Sequence, residues 1–462
     1  MNLLFVHGWS VTHTDTYGQL PEALEVQAPS QLNLNIQHIY LGRYISFHDE
    51  VTVDDIARAF ENATKEVIGE NTEFSCITHS TGGPVIRAWV ERFYGVDHLS
   101  SLPLNHLIML APANHGSALA QLGKARVGRT KSWFQGVESG QSVLDWLELG
   151  SNGQRALNLA WLDYKAPVNG FFPIVITGET IDKKLYDYIN SYTAEKGSDG
   201  VVRVASANLN YRYVRLQQNT SLPMYSVHND GDLFDVHQLE LDGVIKTPHD
   251  RCAFEVLSGA SHSGKAKGIM RSVTKRNSPN KQVVNSIIES LMVNNAREYE
   301  ALTNSMLART VKAQSRNKYA MIVVRVADDQ GNEISDYDLL LLAGKEYRPD
   351  KLPKGFFVDR QKNRINSCHL TYYLNSTKMR TILDDKIGFR VVARPTEGFI
   401  YYSPGEFRSE EIAATDLLKE NETLLLDIVL KRHVDVNTFR ADPLGEGRVD
   451  FKNEKPVGDD VD

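Results

Sequence analysis

Phe74-Ser75-Cys76-Ile77-Thr78-His79-Ser80-Thr81-Gly82-Gly83 is the stretch on which the reading of this chain turns. A short apolar run, Phe74–Ile77, ends in a cluster of small residues, and a helical pattern over Gly83–Phe93 follows at once. A serine at such a junction stands on a tight strand-to-helix turn, with its hydroxyl projecting beyond the sheet edge. The backbone doubles back there, so its neighbours must be small. Gly82 supplies one glycine of a G-x-S-x-G elbow, and Thr78 occupies the position of the other. Ser80 is the candidate nucleophile on this reading.

Outward from the elbow, short apolar runs alternate with helical patterns, which predicts an α/β unit with a mainly parallel sheet. Strands are expected at Leu3–Val6, Leu34–Tyr40, Phe74–Ile77, His106–Leu110, Pro173–Thr177, Val201–Val204 and Cys252–Leu257. Helices are expected at Val53–Val67, Gly83–Phe93 and Gln282–Met292, the first with Thr52 as N-cap and Asp54 and Asp55 in its first turn. This unit is expected to span residues 1–294, with a helical cap inserted at about 117–171. The cap carries Trp133, Phe134, Trp146 and Trp161, an apolar set suited to covering a substrate groove. A linking helix is expected at 295–316. Beyond it, Tyr319–Ala327, Tyr337–Leu342, Leu370–Leu374, Phe389–Ala393, Phe399–Tyr402 and Thr423–Leu430 read as strands separated by turn residues. That pattern predicts an antiparallel β-sandwich over 317–441. The acidic stretch 442–462 lacks the apolar residues needed to order it.

Two further turns carry candidate chemistry. Gly197-Ser198-Asp199-Gly200-Val201-Val202 places an acid in a glycine-flanked loop, and an Asx turn is the plainer reading of it. Gly259-Ala260-Ser261-His262-Ser263-Gly264 places an imidazole after the last apolar run of the α/β unit. Asp182 and Glu179 are rival acids, and His48, His115 and His249 are expected to line the cleft or stay solvated. Ser80, Asp199 and His262 follow one another in the order nucleophile, acid, base that α/β-hydrolases use.

At these residues the chain resembles the bacterial lipase and esterase branch of the α/β-hydrolases. The resemblance covers roughly residues 1–290 and extends to Leu110-Ala111-Pro112-Ala113-Asn114-His115-Gly116-Ser117, which looks like the Pro-x-x-x-Gly-Ser segment of lipases. It implies an α/β-hydrolase fold and cleavage of carboxyl esters, often of lipids, through Ser80, Asp199 and His262. No cofactor and no metal are implied. Val6-His7-Gly8-Trp9 follows the first strand, and the resemblance assigns the oxyanion hole to the backbone N–H groups of Trp9 and Thr81. A lipase-like first domain, an appended β domain and no visible leader also resemble lipase effectors of type VI secretion.

Composition narrows the alternatives. The formal net charge of −7 argues against a nucleic-acid partner, which would require a basic face. Cys76, Cys252 and Cys368 fit no zinc or redox spacing, and Cys76 and Cys252, each within an apolar run, read as buried structural thiols. No basic leader precedes Met1–Val6 and no apolar run approaches the ~20 residues of a membrane span, so the expectation is a soluble chain, cytoplasmic as synthesised, whose export would need a dedicated secretion system. Expected partners are a lipid or ester substrate, transient contact with a membrane surface, and a protein or delivery apparatus at the β domain. A thioesterase, an amidase or a non-catalytic binding module on the same scaffold are the alternatives.

Overall fold

The computed structural model describes residues 1–8, 15–46, 48–125, 140–181, 195–229, 232–313, 318–410 and 412–438. The first sheet takes β1 (Asn2–His7), β2 (Asn35–Tyr40), β3 (Phe74–His79), β4 (Leu104–Leu110) and β5 (Phe172–Gly178). The chain then leaves it for β6 (Tyr211–Asn219), β7 (Tyr225–Asn229) and β8 (Asp232–Leu241), and returns with β9 (Ala253–Leu257). The order is β2-β1-β3-β4-β5-β9, and every pairing is parallel. Its strands are apolar at consecutive positions because both faces are covered. Leu4, Val6, Cys76, Leu107 and Met109 enter one core; Leu3, Phe5, Ile77, Ile108 and Leu110 enter the other.

Helices α1 (Leu20–Gln27), α2 (Val53–Ile68) and α3 (Gly82–Phe93) flank this sheet. In α2, buried Val53, Ile56, Ala57, Phe60, Ala63 and Thr64 recur at helical spacing. Its start is closed by a capping box, Thr52 Oγ1 accepting from Asp55 N at 3.2 Å and Asp55 Oδ2 accepting from Thr52 N at 3.1 Å. Within the predicted cap lie α4 (Ala118–Ala125), α5 (Gln141–Leu147) and α6 (Asn152–Ala160).

One predicted strand is not a strand. Val201–Arg203 form a turn and Val204–Ala207 a short helix, α7. Asp199 Oδ1 accepts the amides of Val201 and Val202 at 2.9 and 2.8 Å, so those donors close an Asx turn and are lost to any ladder. The valines still enter the core.

Helices α8 (Gln282–Leu291) and α9 (Ala296–Ala313) lead to the second sheet. That sheet holds β10 (Tyr319–Asp328), β11 (Tyr337–Ala343), β12 (Phe357–Lys362), β13 (His369–Asn375) and β14 (Ile387–Ala393), then β16 (Gly405–Arg408) and β17 (Thr423–Leu430). A separate two-stranded ribbon pairs β15 (Ile400–Tyr402) with β18 (Arg432–Val434). The second sheet runs β11-β14-β16-β8-β6-β17-β10-β13-β12, with β7 paired to β8. It folds over on itself like a sandwich: the Tyr372 hydroxyl of β13 donates to Leu339 O of β11 at 2.8 Å. It is mixed, not wholly antiparallel as predicted, because β17 runs parallel to both β10 and β6, and β16 parallel to β8. Two of the strands in these parallel pairs, β6 and β8, come from the sequence of the first unit. Cys76, Cys252 and Cys368 are all buried and unpaired. Among the described residues no helix is long and apolar enough to cross a membrane.

Candidate active site

Ser80 adopts φ +52°, the left-handed region that a non-glycine residue enters only under constraint. Its amide donates to Leu110 O of β4 at 3.0 Å and its carbonyl accepts from Gly83 N at 3.3 Å, which fixes the turn between β3 and α3. A methyl group at Gly82 would stand 3.2 Å from Cβ of Thr78, so the threonine in the elbow leaves Gly82 little room for a side chain.

The structure brings three separated turns into one hydrogen-bonded chain. His262 Nε2 lies 3.1 Å from Ser80 Oγ, and His262 Nδ1 lies 2.9 Å from Asp199 Oδ2. Asp199 is fully buried and His262 nearly so. The His262 amide also donates to the Asp199 carbonyl at 3.0 Å, tying the two loops together through the main chain. A carboxylate oxygen only accepts, so Nδ1 carries the proton and Nε2 offers its lone pair to the serine hydroxyl. The Pro-x-x-x-Gly-Ser segment steadies the same region: Ser117 Oγ donates to Val201 O at 2.7 Å, and His115 N to Ser206 O at 2.9 Å.

His79 is a neighbour that the sequence reading passed over. Its Nε2 donates to His262 O at 3.1 Å, and the two rings lie 4.6 Å apart. Burial, then the adjacent His262, push its pKa well below the usual histidine value. Its position beside Ser80 was visible in the sequence; its contact with a loop far along the chain was not.

Other sequence candidates fall elsewhere. Thr81 stands at the N-cap of α3 beside Ser80. Trp9, Trp133, Phe134 and the rival acid Asp182 lie outside the described residues. Trp161 is buried, stacked on Tyr164 at 4.8 Å beneath the Arg87 guanidinium at 4.4 Å. Trp146 is half-buried and packs over Gly153, where an added methyl group would meet its ring nitrogen at 2.1 Å. The described contacts of these two tryptophans do not reach Ser80 or His262. His115, expected to line the cleft or stay solvated, is instead buried in the core against Asn158 and Tyr211, and His249 is half-exposed beside Asp250.

A covered parallel sheet, a strained serine elbow and an acid and a histidine on later loops define an α/β-hydrolase of the lipase and esterase branch. No protein-family model matches the chain, and none of the curated proteins does. Among solved structures, phospholipase PlaB from Legionella pneumophila is 41% identical over 100% of this chain and 99% of its own, with a TM-score of 0.84. The same phospholipase in complex with thio-NAD is 40% identical over the full length of both chains, again at a TM-score of 0.84. Bacillus licheniformis lipase BlEst2 is 14% identical over 45% of this chain and 78% of its own, with a TM-score of 0.33. The chain belongs to the family of phospholipase PlaB.

Proposed function

We propose that this chain is a phospholipase that hydrolyses carboxyl esters through a Ser80–His262–Asp199 triad. The observation that carries the reading is the unbroken chain from Ser80 Oγ through both His262 nitrogens to Asp199, at 3.1 and 2.9 Å. Kinship with PlaB over the whole chain supports phospholipid as the substrate class.

In this mechanism His262 Nε2 takes the proton from Ser80 as Oγ attacks the ester carbonyl, and Asp199 holds the imidazolium that results. The N–H of Thr81, with that of Trp9, receives the charge developing on the carbonyl oxygen; losing one such donor typically costs about 10²–10³ in rate. The tetrahedral intermediate collapses, His262 returns the proton to the leaving alcohol, and an acyl-Ser80 ester remains. Water, activated by the same imidazole, releases the fatty acid and restores the serine. No metal or cofactor enters these steps. We assign the acyl-chain surface to the cap, through Trp133, Phe134 and Trp146. Trp161, embedded in the core, is assigned to the cap's support.

Ser80→Ala is expected to lower phospholipid and short-ester turnover by about 10⁴-fold or more without lowering the melting temperature. Loss of fluorophosphonate labelling should accompany it. A folded mutant retaining a tenth of parental turnover would remove Ser80 from the mechanism. PlaB has been solved with thio-NAD, which supports a nicotinamide dinucleotide as a second ligand class to test on this chain. The same melting assay with added NAD tests it.

A further inference from the structure

The stretch that carries Asp199 is fastened to the second sheet on both sides of the carboxylate. At its entry, the Tyr373 hydroxyl of β13 lies 2.9 Å from the carbonyl oxygen of Lys196 and 3.0 Å from that of Gly197, and shares its one proton between them. At its exit, the Arg203 guanidinium is 2% exposed. It grips Glu195 through two nitrogens at 2.8 and 2.9 Å, and Asp359 of β12 at 2.5 Å. The same guanidinium lies 4.2 Å from the centre of the Tyr373 ring, which stacks on Tyr319 of β10 at 5.1 Å.

The fit between loop and sheet leaves no slack. Gly197 has φ +72°, and a side chain there would come within 2.3 Å of the Tyr319 ring and 2.5 Å of the Tyr373 hydroxyl. Loops are ordinarily the mobile parts of a fold. This one is held by bonds reaching more than a hundred residues along the chain, from Lys196 to Tyr373 and from Arg203 to Asp359. Those bonds lie two to four residues from the carboxylate that meets His262. The orientation of a buried acid decides which tautomer of its histidine persists and how well the imidazolium is held. A displacement of about 1 Å at such a group costs up to about a hundredfold in rate.

We propose that the second sheet is a working part of the active site, with Tyr373 and the Arg203–Glu195–Asp359 cluster as positioning residues that aim Asp199 at His262. This rests on the reading of Asp199 as the triad acid. None of these residues touches substrate. They act by denying the loop its alternative conformations, so their removal acts on the chemical step and spares substrate binding.

Tyr373→Phe in the full-length chain is the direct test, because it keeps the ring, its stack on Tyr319 and its contact with Arg203 while deleting one donor. Turnover of a short soluble ester is expected to fall between about tenfold and a hundredfold, with KM within about twofold of the parent. Asp359→Asn should act in the same direction. Active-site titration with a fluorophosphonate counts the folded enzyme, so that kcat is given per competent molecule. Tyr373→Phe at the parental kcat, with Asp199→Asn inactive, overturns the proposal alone. A fall that merely follows the loss of folded enzyme, or a rise in KM at constant kcat, overturns it too. Asp199→Asn at full rate overturns both this proposal and the reading of Asp199 on which it rests.

Discussion

The histidines of this chain differ by what surrounds each ring. His106 of β4 meets Ser75 Oγ through Nδ1 at 2.7 Å and Val293 O through Nε2 at 2.7 Å, and burial lowers its pKa to about 4. Burial is also the leading cause for His7, His115 and His369, each lowered to about 3. In the unfolded chain each of these takes up a proton near pH 6.5, whereas the folded protein resists protonation until pH 4 or 3. The stability they confer is therefore fully present above about pH 6.5 and is lost as the pH falls through the folded values. Unfolding free energy measured in denaturant is expected to drop between pH 6.5 and 4. His106→Gln should flatten that slope, by at most about 1.4 kcal/mol per pH unit. An unchanged slope would show that His106 is not protonated on unfolding in this range. The three turns that meet at Ser80, Asp199 and His262 were legible as candidates because each is a short run of small residues after or before an apolar run. His79 and Arg203 were not, since what distinguishes them is a partner distant in the chain.

Elements were legible where their burial is uniform. β3, β4, β5 and β9 are buried along nearly all their length, and their apolar runs announce them. β6 was missed because its burial alternates with exposed Arg215 and Gln217, which leaves a polar-looking sequence between turns. Val201–Val204 erred in the other direction: β-branched residues suggested a strand, and a local side-chain acceptor overrode the propensity. The junction between elements is equally invisible in sequence. At the end of β5, a methyl group on Gly178 would fall 2.1 Å from the Ala260 carbonyl oxygen, in the loop that presents His262. Gly178→Ala must therefore move that loop or the strand end. Ester turnover is expected to fall at least about tenfold, with a lower melting temperature. Parental turnover together with a parental melt would show that the loop absorbs the clash elsewhere.

The two sheets share their sequence as well as their interface. β6 lies between β17 and β8, in parallel register with β17 from Tyr211↔Thr423 to Gln217↔Val429. β8 pairs with β16 through Gly405↔His237. Further bonds cross between the units: Thr423 Oγ1 donates to Ala205 O at 2.9 Å, Asn208 Nδ2 to Asn421 O at 2.8 Å, and Asn363 Nδ2 to Leu149 O at 3.0 Å. Arg155 pairs with the largely buried Asp427 of β17. A chain truncated after Ala313 would keep Ser80, Asp199, His262 and every strand of the first sheet. It would also expose both edges of the β6–β8 pair, leave Arg203 without Asp359, and uncover Val214, Leu216 and Leu239, which belong to the second core. Unpaired strand edges bearing apolar side chains template aggregation. Breaking one side of a buried ion pair costs about 3–5 kcal/mol, a large share of the ~5–15 kcal/mol that holds a typical domain together. The truncated chain is therefore expected to be insoluble or, where soluble, oligomeric and inactive toward esters. Size-exclusion chromatography, ester turnover and fluorophosphonate labelling measure this together. A soluble monomer that labels and turns over ester like the full chain would make the second sheet a detachable module, and would place the whole hydrolytic unit within residues 1–313.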